Sequence, residues 1–153
     1  MTDRDLWRTE DFESLSWHDV HVHGIRFASF CESEGAADLV LDIDYILKWE
    51  PEGNAFVFTV CPAELTFHNA FNLKFELDYK TPTAGMCPFS IHDIHREPLE
   101  FATGYKSFRW SIPINWPHGS LEFEAPEFTL RLVGTPVARA GQYLSPEQRG
   151  RAT

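Results

Sequence analysis

Apolar and polar residues alternate along most of this 153-residue chain, and this alternation is the feature that most restricts its fold. In the segment DLVLDIDYILKW, every second residue from Leu39 onward is apolar, whereas Asp42, Asp44 and Lys48 lie between them. Because the side chains of a strand point alternately to its two faces, the segment is predicted to be a long strand with one buried and one solvent-exposed face. The same period recurs around residues 56–60, 73–79, 108–112 and 128–132.

Turn-forming residues separate these alternating segments. Proline and glycine cluster in EPEGN, KTPTAGMCP, NWPHGS and EAPE, and no window has convincing helical periodicity. A chain of 153 residues, 43% of them hydrophobic, is long enough for one domain with its own core. We therefore predict an all-β, single-domain antiparallel sandwich or open barrel of about eight to ten strands, with short helical turns at the termini.

The two ends of the chain depart from the strand pattern. Near the N-terminus, TEDFESL is predicted to form one short helical turn. We predict that residues 1–134 form the all-β domain and that residues 135–153 form a C-terminal tail, either loose or docked on a neighbour. Within the tail, LSPEQR has Ser145 at an N-cap position followed by Pro146, which favours the start of one short helix.

The charge of the chain favours some partners over others. Thirteen Lys and Arg residues stand against 23 Asp and Glu residues, which gives a formal net charge of -10 at pH 7. Nucleic acids and anionic membranes are bound through clustered basic residues, so neither is predicted to be a partner. A basic protein is the partner that this charge would attract.

Cysteine usage and the N-terminus indicate the compartment. Cys31, Cys61 and Cys87 are odd in number, widely spaced and without a CxxC pair, so a disulfide framework or a structural zinc ribbon is not predicted. Neither Cys61 nor Cys87 has a basic neighbour in sequence that would activate its thiol. The N-terminus is charged, and no apolar run approaches the roughly 20 residues of a membrane span. We expect a cytoplasmic protein.

The segment SWHDVHVHG holds the densest group of chemically versatile side chains. If it is a strand, alternation places Trp17, Asp19, His21 and His23 on one face and the residues between them on the other. These four residues and His18 form a predicted polar cluster and are the candidate binding residues. No catalytic residue is predicted, because no complete catalytic constellation is visible: a Gly-rich phosphate loop, a GxSxG elbow and an HExxH helix are all absent from the sequence.

Metal binding is the alternative function of this histidine segment. The string DVHVHG resembles the first metal-binding strand of amidohydrolases, but their eight-fold barrel takes about 250 residues and eight helices, so that family is rejected. Two histidines two residues apart on a strand can reach one metal, and SIHDIHRE offers a third ligand. Because an odd spacing puts His92 and His95 on opposite faces, only one of them could join; the alternative metal set is His21, His23 and His92. We predict no cofactor.

A purely structural role for the histidine segment is the alternative to ligand binding and to metal binding. Gly24 permits a β-bulge, which would switch the apolar face from Val20 and Val22 to Ile25 and Phe27. In that interpretation, the histidines and the aspartate satisfy neighbouring backbone and hydroxyl groups at a sheet edge.

The sequence resembles a widespread group of small, uncharacterised bacterial all-β proteins, some of which are classed as immunity proteins of polymorphic toxin systems. The resemblance extends over about residues 14–134 and is carried by WHDVHVHGIRF, LVLDIDYIL, CPAELTFHNAFNLKFEL, FSIHDIHRE and GSLEFEAPEFTLRLVG. It implies an all-β fold without an assigned catalytic activity. The pair His18 and Asp19 would be the recurring feature, and His21 and His23 would be particular to this chain.

Two hypotheses of function follow. The first is a non-catalytic protein-binding domain whose partner is basic, with an immunity-type role as its more specific form. The second is a small-ligand or metal-dependent enzyme that uses the His/Asp cluster, with Asp19 orienting a histidine ligand. A homodimer through an unpaired sheet edge is compatible with the fold, although the sequence does not show which edge is free.

Overall fold

The computed structural model describes residues 4–80 and 85–149 of the chain. Within these ranges, ten β-strands and one 3-10 helical segment, Thr9–Ser14, are present. The predicted all-β fold is confirmed, and so is the helical turn in TEDFESL. The strands are β1 Leu6–Arg8, β2 His21–Cys31, β3 Ala36–Glu52, β4 Ala55–Leu77, β5 Phe89–Ile91, β6 His95–Glu100, β7 Lys106–Trp116, β8 Gly119–Ala125, β9 Glu127–Leu132 and β10 Val137–Arg139.

All the strand pairings are antiparallel, and six strands pair in a closed circuit. The circuit runs from β4 to β3, β2, β5, β7 and β8 and returns to β4. The sheet therefore curls into a barrel, and β1, β6, β9 and β10 extend it at the sides. Of the predicted turn KTPTAGMCP, residues 81–84 lie outside the described residues.

Strand β4 organises the sheet because it is 23 residues long and has neighbours along both edges. Its residues 55–70 pair with β3, while β10, β9 and β8 follow one another along its other edge. Pro126 separates β8 from β9, where the proline interrupts one long run beside β4. As a result, the segment from Gly119 to Arg139 retraces β4 from Leu77 back to Phe58.

The barrel interior is filled by the apolar face that the alternation predicts. Leu39, Leu41 and Ile43 are buried there, as expected. Aromatic rings dominate the centre: the ring centroid of Phe67 lies 4.9 Å from that of Trp110 in an edge-on arrangement. Each such pair stabilises the fold by about 0.5–1.5 kcal/mol beyond the contribution of the apolar area that it buries.

The opposite face of β3 differs from the prediction. Asp44 is completely buried rather than solvent-exposed. The reason is the C-terminal segment, which lies over this outer face and forms a second, smaller apolar cluster in which Leu144 packs with Ile46, Phe58 and Val60. Alternation along one strand reports on its two faces, but it does not report what a distant segment will place on them.

The described part of the tail, residues 135–149, lies on the barrel of its own chain. Strand β10 pairs with β4 next to Val60, and the chain then turns at residues 146–149. In this turn Gln148 N donates to Ser145 Oγ (3.3 Å) and Ser145 N donates to Gln148 Oε1 (3.0 Å), the reciprocal pattern of a capping box. Through residue 149 this is one turn rather than a helix. Among the residues that the structure describes, no helix has the length and apolar character needed to span a bilayer.

Candidate functional site

The histidine segment is not a strand throughout. Strand β2 begins at His21, and Asp19 has a left-handed backbone (φ 66°) in a turn. This turn breaks the predicted parity: Trp17, expected on the face opposite Val20, is buried in the same core as Val20. Since Trp17 packs inside the barrel, it takes no part in a surface cluster, and alternation alone could not reveal the left-handed residue.

The Asp19 carboxylate joins three separate parts of the chain. Asn115 Nδ2 donates to Asp19 Oδ1 (2.8 Å), and Gln142 Nε2 donates to Asp19 Oδ2 (3.0 Å). His18 Nδ1 lies 3.1 Å from Oδ2, and the backbone N–H of Asp19 donates to the carbonyl of Ile91 (2.9 Å). Asp19 thus connects the start of β2, the end of β7 and the tail.

His21 lies under the tail. Its Nδ1 donates to the backbone carbonyl of Asp19 (2.9 Å), and the centroid of its ring is 4.8 Å from that of Tyr143. Burial lowers the pKa of His21 below its ordinary value of 6.5, against the opposing effect of the Asp19 carbonyl and carboxylate. The imidazole is therefore held neutral at neutral pH.

His23 contacts a different acid. Its Nε2 donates to Oδ2 of the buried Asp44 (2.6 Å), which also accepts the backbone N–H of Leu144 (2.7 Å). Arg149 completes the site: one guanidinium nitrogen donates to Asp44 Oδ1 and the other to Asp42 Oδ1. A buried carboxylate needs such partners, because an unpaired charge in the interior is costly. Sequence reasoning missed this role of Asp44, since its partners lie 21 to about 100 positions away.

The alternative metal set is not assembled. His21 and His23 contact different partners. The ring of His92 meets that of His18 edge-on, with ring centroids 5.5 Å apart. Within residues 4–80 and 85–149, no group of three or more His, Cys, Asp or Glu side chains has the arrangement of a metal site. Two members of the predicted polar cluster instead contact the tail: Asp19 accepts a hydrogen bond from Gln142, and the ring of His21 packs against Tyr143.

Gly24 does coincide with an irregularity in the sheet. The register between β2 and β3 shifts between Val22 and Gly24, as the predicted bulge requires. Ile25 then packs against the core, as expected. Phe27 was expected to do the same, but 66% of its surface is exposed, and this part of the prediction is wrong.

Phe27 is exposed because β2 runs past the last strand that pairs with its second edge. Only His21 and Val22 pair with β5, whereas β3 follows β2 as far as Cys31. Among the described residues, none pairs with residues 24–31 along that second edge. Phe30, on the same stretch, is 70% exposed. We call residues 24–31, with their second edge unpaired, the β2 edge.

An apolar cleft of about 480 Å³ opens beside the β2 edge. The strand across the cleft is the end of β4, which continues to Leu77 after its pairing with β3 ends at Ala70. The floor and walls are mainly apolar: Val22, Ile25, Phe75, Leu77, Met86 and Phe89. We call this space the β2–β4 cleft. An unpaired strand edge beside apolar pockets is the arrangement that binds extended peptides by strand addition.

The outer wall of the β2–β4 cleft is fixed by contacts among its own residues. Tyr79 Oη donates to the backbone carbonyl of Cys87 (2.6 Å), and the ring centroid of Phe75 lies 6.2 Å from that of Phe89. Partial burial raises the pKa of Tyr79, so its hydroxyl remains a hydrogen-bond donor. Sequence reasoning named none of these residues as functional, since the cleft depends on long-range pairing.

Comparison with protein-family models, with curated proteins and with solved structures gives no match to this chain.

Proposed function

We propose that this protein is a protein-binding domain, and that it binds an extended, basic segment of its partner along the β2 edge and in the β2–β4 cleft. The observation that carries the proposal is the exposure of Phe27 and Phe30 on β2, whose second edge has no partner over residues 24–31 among the described residues. Folded proteins usually protect such an edge with charged residues, prolines or a covering segment.

The edge has little of that protection. Its one basic side chain, Arg26, forms an ion pair with Glu64 on β4 (2.7 Å), and proline is absent from residues 24–31. An added strand would gain main-chain hydrogen bonds from β2, and its alternate side chains would enter the apolar cleft. Two exposed phenylalanines offer the kind of aromatic anchors that dominate binding energies.

Charge selects the class of partner. With a net charge of -10, two copies of this chain repel each other, whereas a basic partner is attracted and oriented. A heterologous basic segment is therefore favoured over a homodimer through the same edge. We also propose a cytoplasmic setting, supported by three cysteines without a CxxC pair.

Peptide display on the purified full-length chain tests the proposal. We expect selected peptides to be rich in Lys and Arg and to alternate apolar with polar residues. Substituting Phe27→Ser or Phe30→Ser should weaken their binding by about 30-fold, the effect of losing a contact worth about 2 kcal/mol. The matched control is Phe101→Ser, an exposed phenylalanine at the distant β6–β7 turn, which should leave binding unchanged.

Three outcomes would contradict the proposal. Selected peptides without basic enrichment would remove the charge argument. Binding that survives both substitutions at β2 would move the site elsewhere. A stable dimer in light scattering that Phe27→Ser dissociates would show that a second copy occupies the edge.

An immunity-type role is the more specific form of this proposal. It is supported by the resemblance of residues 14–134 to small bacterial all-β proteins, some of them immunity proteins, and by an acidic chain that suits a basic toxin. Co-expression with a candidate toxin should protect the host cell, and Phe27→Ser should abolish protection while Phe101→Ser retains it. Equal protection by both variants would contradict a role for the β2 edge in toxin binding.

A further inference from the structure

A second cleft, of about 570 Å³, shares no lining residue with the β2–β4 cleft, although Ser29 of the β2 edge lines it. Its polar lining includes side chains from three neighbouring strands: Asp38 on β3, His68 on β4 and Thr129 on β9. We call it the His68 cleft. These three residues are far apart in sequence, and the pairing of β4 with β3 and β9 brings them together on one face.

The two ring nitrogens of His68 have different neighbours. Nδ1 lies 3.4 Å from Asp38 Oδ2, and Nε2 lies 3.1 Å from the hydroxyl oxygen of Thr129. The backbone N–H of Asn69 donates to the other carboxylate oxygen of Asp38 (3.1 Å), which fixes the acid. An acid that orients a histidine, whose second nitrogen meets a hydroxyl, is the arrangement that activates hydroxyl nucleophiles.

The backbone around this cleft is also unusual. Asn69 (φ 54°) and Ser29 (φ 51°) line the cleft in the left-handed region. Non-glycine residues seldom adopt that conformation, and such positions cluster at functional sites.

We propose that the His68 cleft is an acyl-transfer site in which Thr129 is the nucleophile, His68 the general base and Asp38 a positioning residue. This inference goes beyond the proposed function, because it adds an activity in a cleft other than the β2–β4 cleft. The acidic residues Glu10 and Glu127 also line the cleft, so the substrate class is a neutral or cationic ester. Arg8 and Asn69 also line the cleft, and their side chains carry donors that could stabilise negative charge developing on the carbonyl oxygen.

The reaction needs only the ester and water. Thr129 Oγ1 forms a bond to the carbonyl carbon while its proton moves to His68 Nε2 and the carbonyl electrons move onto oxygen. When the tetrahedral intermediate collapses, the bond to the alcohol breaks, and the alcohol takes the proton from His68 Nε2. Water then attacks the acyl-Thr129 ester by the same proton path, releasing the carboxylic acid and restoring the hydroxyl.

Acetylation of the full-length chain by p-nitrophenyl acetate tests this inference. We expect peptide mass spectrometry to find an acetyl group on Thr129. Because general-base catalysis contributes about 10²–10⁴-fold, His68→Gln should slow this acetylation at least about 100-fold. The matched control is His95→Gln, which removes an exposed histidine that also lies near an aspartate, Asp93 (3.7 Å), and should change nothing.

Thr129→Ser keeps the hydroxyl with a smaller side chain, so it folds as the parent does and should be acetylated at position 129 at least as fast. An unmodified residue 129 in both the parent chain and Thr129→Ser, with p-nitrophenol released no faster than without protein, would overturn the inference. Acetylation of Thr129 that is equally fast in His68→Gln would overturn it as well, because the trio would then be a polar cross-strand contact with no catalytic role.

Discussion

Replacing Arg149 by methionine should destabilise the fold far more than the loss of an ordinary arginine. Asp44 is 0% exposed and the Arg149 side chain only 3%. Without the guanidinium, the Asp44 carboxylate keeps two hydrogen bonds, from His23 and from the backbone of Leu144, but loses its cationic partner. Breaking a buried ion pair by removing one partner costs about 3–5 kcal/mol.

The assay is urea unfolding followed by tryptophan fluorescence, with thermal melting as a second measure. For a chain of this size, about 3–5 kcal/mol corresponds to a fall in Tm of roughly 6–20 °C. The double variant Asp44→Asn, Arg149→Met removes both charges and should lose less than the sum of the two single variants. The control is Arg26→Met, which breaks an exposed pair with Glu64 and should cost at most about 1 kcal/mol.

Two results would refute this reasoning. One is an Arg149→Met variant whose unfolding free energy lies within about 0.5 kcal/mol of the parent. The other is strict additivity in the double variant, because it would mean that the two charges do not interact.

Three further predictions concern single residues. Because burial lowers the pKa of His21 below 6.5, the unfolded chain binds the proton more readily; stability that depends on neutral His21 is complete above about pH 6.5 and is lost as pH falls. Between pH 8 and pH 5, the free energy of unfolding measured with urea should fall less in His21→Gln than in the parent. An equal fall in both would contradict a lowered pKa of His21. Burial raises the pKa of Cys61 while the Ser33 hydroxyl lowers that of Cys31, so a thiol reagent followed by mass spectrometry should modify Cys31 before Cys61; faster reaction of Cys61 in the folded chain would contradict this. Phe67→Ala should cost about 3–5 kcal/mol by calorimetry, since its ring is fully buried in the barrel, and a cost below about 1 kcal/mol would show a core that refills the cavity.

The interior of the barrel was predictable because its signal is local. Leu39, Leu41 and Ile43 lie where a two-residue period places them. The bulge at Gly24 was predictable for the same reason, since apolar parity changes within a few residues of a glycine. The prediction of a continuous strand through Asp19 was wrong. One left-handed residue there reverses which face the neighbouring side chains occupy, and the pattern of apolar and polar residues does not reveal it.

The clefts and the buried acid could not be predicted because they depend on pairings between distant segments. Asp44 has the sequence context of a solvated charge, and only the arrival of Leu144 and Arg149 buries it. Phe27 has the context of a core residue, and only the early end of pairing with β5 exposes it. In both cases a distant segment decided the environment of the side chain, and the pattern along the strand does not reveal that segment.

Amide hydrogen exchange of the full-length chain, with and without a selected basic peptide, tests whether the β2 edge is the binding site. We expect binding to slow exchange in residues 24–31 of β2, because an added strand forms main-chain hydrogen bonds with N–H groups that are unpaired in the described structure. Unchanged exchange in residues 24–31, with protection confined to another surface, would contradict the claim that the β2 edge is the binding site.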